Sequence, residues 1–315
     1  MPRTSSQSDS KTYWTPERQK KFLGGRQLIL TPWQGERLLR TLGLTNKDGS
    51  LSADSSRKFI QINHMLQLIL GEVKKLADQI PALHVVDAGC GNAYLSFLVY
   101  WYLHEIKKVP TSILGVDFEA ERLARAQQRS EELGYASQLR FAQADLRSFE
   151  WQKTYTETFG PAATAPRPHL FLALHACDTA TDYALAEAIR CKSDVIAVAP
   201  CCQAELAHAW KSLSSYDSLG LKPVLQNAHF RREVGADMTD MLRVLLLRSR
   251  GYEVTATEFV PSEHTPKNRL LLAVRRGSYL LAAQQEYEAL KASLGGVAIT
   301  LEQLLPPLRP SESNA

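Results

Sequence analysis

No stretch of this 315-residue chain is apolar for long enough to cross a bilayer, and its polar N-terminus, "MPRTSSQSDSKTYWTPERQKK", has no apolar h-region. Neither a membrane-embedded nor a secreted protein is expected. Cysteine is scarce: Cys90, Cys177, Cys191, Cys201 and Cys202 make an odd set without framework spacing, and no C-x-x-C occurs. That argues against a disulfide scaffold and for reduced thiols in a cytoplasmic setting. Charge of one sign is not in large excess: 37 Lys and Arg against 33 Asp and Glu give +4. This mild basicity is compatible with an RNA partner but does not require one. Internal repeats are absent as well.

What is present divides by pattern. Residues 1–20, rich in Ser and charge, read as a disordered tail. Residues 21–80 read as an N-terminal helical extension. Its best segment carries Phe59, Ile62, Leu66, Ile69, Val73 and Leu76 at alternating steps of three and four, one apolar stripe on a helix. Asp54 or Ser55 is the expected N-cap. From Pro81 the pattern changes to short apolar runs alternating with helical stretches. The runs cover 83–89, 112–117, 138–145, 169–176 and 194–200. Alternation of this kind predicts a parallel sheet of βαβ units. Two further runs, 252–260 and 268–276, have no helix between them and predict an antiparallel pair at the sheet edge. The expected domain is 81–277, followed by a C-terminal helix and tail over 278–315.

The first strand ends in "VVDAGCGNAY". Glycines at 89 and 91, between a strand and a helix, let a ligand approach the backbone closely. A dinucleotide fingerprint would put a third glycine at 94, where this chain has Tyr94, so NAD or FAD is not expected. Asp117 ends the second strand, placed to accept hydrogen bonds from both hydroxyls of a ribose. The pattern D-x-G-x-G-x-A over Asp87, Gly89, Gly91 and Ala93 resembles motif I of class I S-adenosylmethionine (SAM) methyltransferases. That resemblance implies SAM as cofactor, with Asp87 near its ammonium and Asp145 at the position that reads the adenine amino group. It extends the cofactor-binding set to Asn92, Tyr94, Phe118, Leu146 and His175. The fold it implies is an α/β, seven-stranded, mostly parallel, Rossmann-like sheet with helices on both faces and the last strand antiparallel.

Ligands on such sheets bind outside the carboxyl ends of the strands. The fourth run ends in "LHACD", with His175 and Cys177. The fifth ends in "APCCQ", with Cys201, Cys202 and Gln203. The turn "SEHTPKN", with His264 and Lys267, belongs to the same edge. "LHACDTATD", "APCC" and "EFVPSEHTPKNRLLLAVR", in this order after a SAM loop, resemble one methyltransferase family. It includes the methyltransferase-like protein 25 group and the glutathione S-transferase C-terminal-domain-containing protein. More distantly it includes the eukaryotic tRNA acceptor-stem 2′-O-methyltransferase. The resemblance covers about residues 55–276.

Three chemistries compete for the rim. It positions an acceptor in line with the SAM methyl, with His175, His264 or Lys267 as base where the acceptor is a hydroxyl. Alternatively, Cys201 or Cys202 attacks a pyrimidine. In the third reading, His175, Cys177, Cys201 and Cys202 bind zinc. Adjacent cysteines rarely place both thiolates on one tetrahedral ion, so no metal is expected. Arg231, Arg232, Arg243, Arg248 and Arg250, in the long segment 203–251, are either phosphate contacts or a solvated, ion-paired helix face. In the same segment Met241 and Leu245 suggest a buried helix face. The expectation is SAM-dependent methylation of RNA, against a protein or small-molecule acceptor, or a non-catalytic SAM-binding platform.

Overall fold

The computed structural model describes residues 13–163, 165–174, 176–212, 222–259, 269–277 and 279–307. In chain order the N-terminal helices are α1 (Pro16–Leu23), α2 (Glu36–Thr41) and α3 (Ala53–Ala77). Then come β1 (Leu83–Ala88), α4 (Tyr94–Tyr100, prolonged by a π-helical turn over Trp101–Ile106), β2 (Thr111–Asp117), α5 (Ala120–Leu133) and β3 (Leu139–Gln143). These are followed by α6 (Trp151–Phe159), β4 (Leu170–Ala173), α7 (Thr179–Arg190), β5 (Val195–Val198) and α8 (Glu205–Ser212). The chain continues with α9 (Lys222–Gln226), α10 (Ala228–Ser249), β6 (Tyr252–Glu258), β7 (Arg269–Arg275), α11 (Leu281–Ser293) and α12 (Thr300–Leu304).

The seven strands form one sheet in the order β3-β2-β1-β4-β5-β7-β6, with β7 antiparallel to both neighbours and every other pair parallel. The chain leaves β1 toward β2 on one side and returns to β4 on the other, so the crevice at the end of β1 is the switch point. Alternate residues of β1 feed two cores. Val85 joins Phe59, Leu66, Ile69 and Ile113 on one face, and Val86 joins Leu114, Phe171, Ile196 and Leu246 on the other. Burial on both faces is why these strands read as unbroken apolar runs.

Local chemistry corrects two sequence expectations. The N-cap of α3 is Ser52, not Asp54 or Ser55: its backbone is extended and its Oγ accepts the Ser55 N–H. Of the stretch expected as a tail, residues 1–12 lie outside the described ones, but Pro16–Leu23 is helical behind a Thr15 cap. Trp14 is buried there, donates its indole N–H to the Gly49 carbonyl, and packs its ring against Phe22 and Trp33. Among the described residues no helix is long and apolar enough to cross a membrane.

At the N-terminal ends of the strands, His84 and His169 stack, and the His84 backbone N–H donates to His169 Nδ1. Burial first, and then the neighbouring His169, lowers the pKa of His84 to about 4. A depressed folded-state value means that the unfolded chain takes up the proton first as pH falls. Stability is therefore expected to be level in this respect above pH 7 and to decline between about pH 6.5 and 4. Urea midpoints across that window check it: His84→Gln, which never charges, should flatten the decline, and an unchanged slope would refute the assignment.

Candidate active site

The turn after β1 uses three consecutive odd positions with positive φ: Gly89 (71°), Gly91 (54°) and Ala93 (58°). The N–H groups of Gly89 and Cys90 both donate to the Val116 carbonyl, which pulls the loop against the end of β2. Gly91 N–H donates to Asp117 Oδ2 at 2.8 Å, and Glu119 N–H donates to Asp117 Oδ1 at 3.0 Å. Asp117 thus fixes the glycine loop as well as its own turn, and its carboxylate keeps lone pairs for further donors. A Cβ on Gly91 would meet nothing within 4 Å, so the backbone there faces open space.

That space is a cavity of about 500 Å³ at the switch point. Six expected cofactor residues line it: Gly89, Gly91, Asp117, Phe118, Asp145 and Leu146. Phe118 is 67% exposed, an apolar residue that a bound adenosine would cover. Asp87 is buried under the loop and accepts from Ser96 Oγ in α4. Asn92, Ala93 and Tyr94 are not among the lining residues. Ala93 is the left-handed residue before α4, and Tyr94 begins that helix with Arg129 over its ring. These three shape the loop. His175 lies outside the described residues.

Two lining arginines were missed by sequence reasoning, Arg122 and Arg147. Arg147 Nε reaches both Asp145 oxygens, at 3.0 and 2.9 Å, and these hydrogen bonds lower the Asp145 pKa to about 2. An adenine amino group arriving at Asp145 therefore shares an oxygen with Arg147 or displaces it. The bridge is exposed, so displacement costs little. The spacing in "DLR" is the signal that would have flagged Arg147.

The rim next to the cavity is built by the loops after β4 and β5, which run parallel in register with Ala173 opposite Val198. Asp178 Oδ1 accepts the Ala204 N–H at 3.2 Å and so ties one loop to the other. This brings Cys177, itself a lining residue of the cavity, to 3.1 Å from Cys201, sulfur to sulfur. Gln203 is buried, with Nε2 on Asp240 Oδ2 at 2.7 Å. Of the expected catalytic group, Cys201, Cys202 and Gln203 are thus adjacent, while His264 and Lys267, like His175, fall outside the described residues. Burial, and then the neighbouring thiols of Cys177 and Cys202, push the Cys201 thiol up, the opposite of what a thiolate nucleophile needs. Cys90 and Cys191 are pushed up mainly by burial, in keeping with packing roles.

Of the candidate arginines, Arg231, Arg243, Arg248 and Arg250 are engaged within the protein, Arg231 by donating to the Leu225 carbonyl. Arg243 is fully buried between Asp182 and Asp240, which removes it from the candidate phosphate contacts. Arg248 pairs with Glu286, and Arg250 donates to the Pro306 carbonyl. Leu245 is buried as expected, but Met241, expected on the same face, is 41% exposed.

A sheet in the order β3-β2-β1-β4-β5-β7-β6 with one reversed strand, a glycine loop at the switch point and a carboxylate at the end of β2 defines the class: a class I SAM-dependent methyltransferase. Residues 57–209 match the model of a family described as a methyltransferase domain. The chain is 25% identical over 248 residues to the glutathione S-transferase C-terminal domain-containing protein of Mus musculus, covering 72% of this chain and 35% of that one. It is 27% identical over 220 residues to the Drosophila melanogaster homolog, covering 61% and 33%. The chain thus spans about a third of the length of these curated relatives. Among solved structures it is similar to the S-adenosylhomocysteine-bound Podospora anserina methyltransferase PaMTH1, with a TM-score of 0.42, 9% identity, and coverage of 88% of this chain and 100% of that one. Over residues 57–209 the chain is similar to a methyltransferase domain, and its sheet and glycine loop fit the class I SAM-dependent type that its motifs resemble.

Proposed function

We propose that this chain methylates RNA, with the acceptor presented at the open rim formed by the β4 and β5 loops. The observation that carries the methyl-transfer site is the cavity of about 500 Å³ that runs from the Gly91 loop and Asp117 to Cys177, joining the cofactor cradle to that rim. When bound, SAM supplies a methyl on a sulfonium, already a good leaving group. The protein's own task is then to hold the acceptor aligned and dehydrated at about 3–3.5 Å. Asp117 and Asp145 would hold the nucleoside end, the glycine loop would admit the amino-acid end, and the β4 and β5 loops would shape the acceptor's seat. The RNA reading is supported by the net charge of +4 and by the motif resemblance to a family with a tRNA-modifying member.

A second acceptor class is favoured by one observation. A smaller pocket beside Gln203 is lined by Glu233, Asp237, Asp240 and Glu258, against Arg269. Gln203 Oε1 is buried there without a hydrogen-bond partner among the described residues. Such a pocket suits a cationic N–H donor, as on a protein side chain. Tritiated-SAM labelling of fractionated RNA and protein from cells lacking this chain separates the two. Label in an RNase-sensitive fraction is the expected result. Label only in a protease-sensitive fraction would replace RNA by protein.

A further inference from the structure

Three of the chain's five cysteines converge at the rim, where no C-x-x-C spacing occurs and no metal was expected. Cys177 follows β4 by four residues, and Cys201 and Cys202 follow β5 by three and four, in strands paired at Ala173 and Val198. The sheet register therefore places all three at one level. Their sulfurs lie within 4.8 Å of one another. Cys177 and Cys202 are exposed and Cys201 is half-buried, so an ion from solvent has access. Asp178, immediately after Cys177, is held at φ 52°, ψ −124°, a backbone that a non-glycine residue adopts only under constraint. The Arg243 guanidinium, which donates to the Asp178 carbonyl, and the Ala204 N–H supply that constraint. The loop is thus held rigidly where Cys177 meets the other two.

We propose that Cys177, Cys201 and Cys202 are three ligands of a thiophilic divalent cation, Zn²⁺ by its preference for thiolates, at the edge of the cofactor cavity. Zinc–sulfur bonds of about 2.3 Å at tetrahedral angles set the sulfurs about 3.8 Å apart. The observed cluster reaches that arrangement with side-chain shifts of about an ångström or less. Three thiolates this close repel one another, and a divalent ion is what lets them ionise together; binding releases their protons. Three protein ligands leave a fourth position for a further donor, the arrangement of zinc sites that keep a coordination place for water or substrate.

The test uses the full-length protein, purified under a phosphine reductant without chelators. Elemental analysis is expected to find about one zinc per chain, and Cys177→Ser, Cys201→Ser and Cys202→Ser each to weaken zinc binding at least about 100-fold. Replacing zinc by Co²⁺ is expected to give thiolate-to-cobalt charge-transfer absorption, lost in the triple Ser variant and kept in Cys191→Ser. Circular dichroism and thermal melts of the single variants show that the fold persists. Reduced wild-type protein that takes up neither ion would overturn the site. So would cobalt absorption that survives in the triple variant, or a Cys177–Cys201 disulfide retained under the reductant.

Discussion

Gly91→Leu is expected to lose SAM binding by at least about 100-fold while the protein stays folded. The backbone at this position has φ 54°, and a side chain built there would project into space free of protein atoms. Leucine fills the volume that the cofactor needs. Holding a side chain in the left-handed region costs about 1–2 kcal/mol, which a domain of this size tolerates. Ala93, two residues on, shows that a non-glycine residue is already accommodated in that region of the loop. Gly134→Ala is the control. That glycine is also left-handed, at φ 80°, but it ends α5 and faces no protein atom within 4 Å. It should lose similar stability and keep SAM affinity. Calorimetry on both variants, beside thermal melts, checks the pair; normal SAM binding by Gly91→Leu would mean that the cofactor does not lie against this loop.

The largest effect on stability is expected from Arg243→Met, about 3–5 kcal/mol by urea denaturation. Arg243 is inaccessible to solvent and donates to Asp182 at 2.6 and 2.9 Å, to Asp240 at 3.1 Å and to the Asp178 carbonyl at 3.1 Å. Removing it leaves the fully buried Asp182 charge without its partner. Burial already raises the Asp182 pKa against the pull of Arg243. Asp240 keeps Gln203 and Arg269. A double variant that also replaces Asp182 by Leu should recover much of the loss, because a pair removed together leaves no orphan. A loss of under 1 kcal/mol for Arg243→Met would show that the network is not what holds this region. The same network fixes the backbone beside Cys177 and the side chain of Gln203, so the variant should also loosen the rim.

These two residues mark what could be read from the sequence and what could not. Gly91 was legible because a glycine loop between a buried strand and a helix is a local pattern with one geometric meaning. The strands were legible for the same reason: each is buried on both faces, and a run such as "SILGVD" has no polar face to confuse the period. Arg243 was not legible. Its partner Asp182 lies 61 positions away, and nothing local distinguishes a buried arginine on α10 from a solvated one. The meeting of Cys177 with Cys201 and Cys202 at one rim was legible from the order of the strands, but their sulfur-to-sulfur closeness was not, since it depends on the register between β4 and β5. Ser52 was passed over as a cap because the acidic Asp54 and the neighbouring Ser55 offered equally good side chains. Only the extended backbone at Ser52 decides among them.

The measurement that bears most directly on the whole account is titration calorimetry of the purified chain with SAM, S-adenosylhomocysteine and NAD. The Gly89–Gly91 loop, the Asp117 carboxylate and the open cavity predict saturable binding of both SAM and S-adenosylhomocysteine at one site per chain, and no heat from NAD. Binding of NAD with no response to SAM would contradict it.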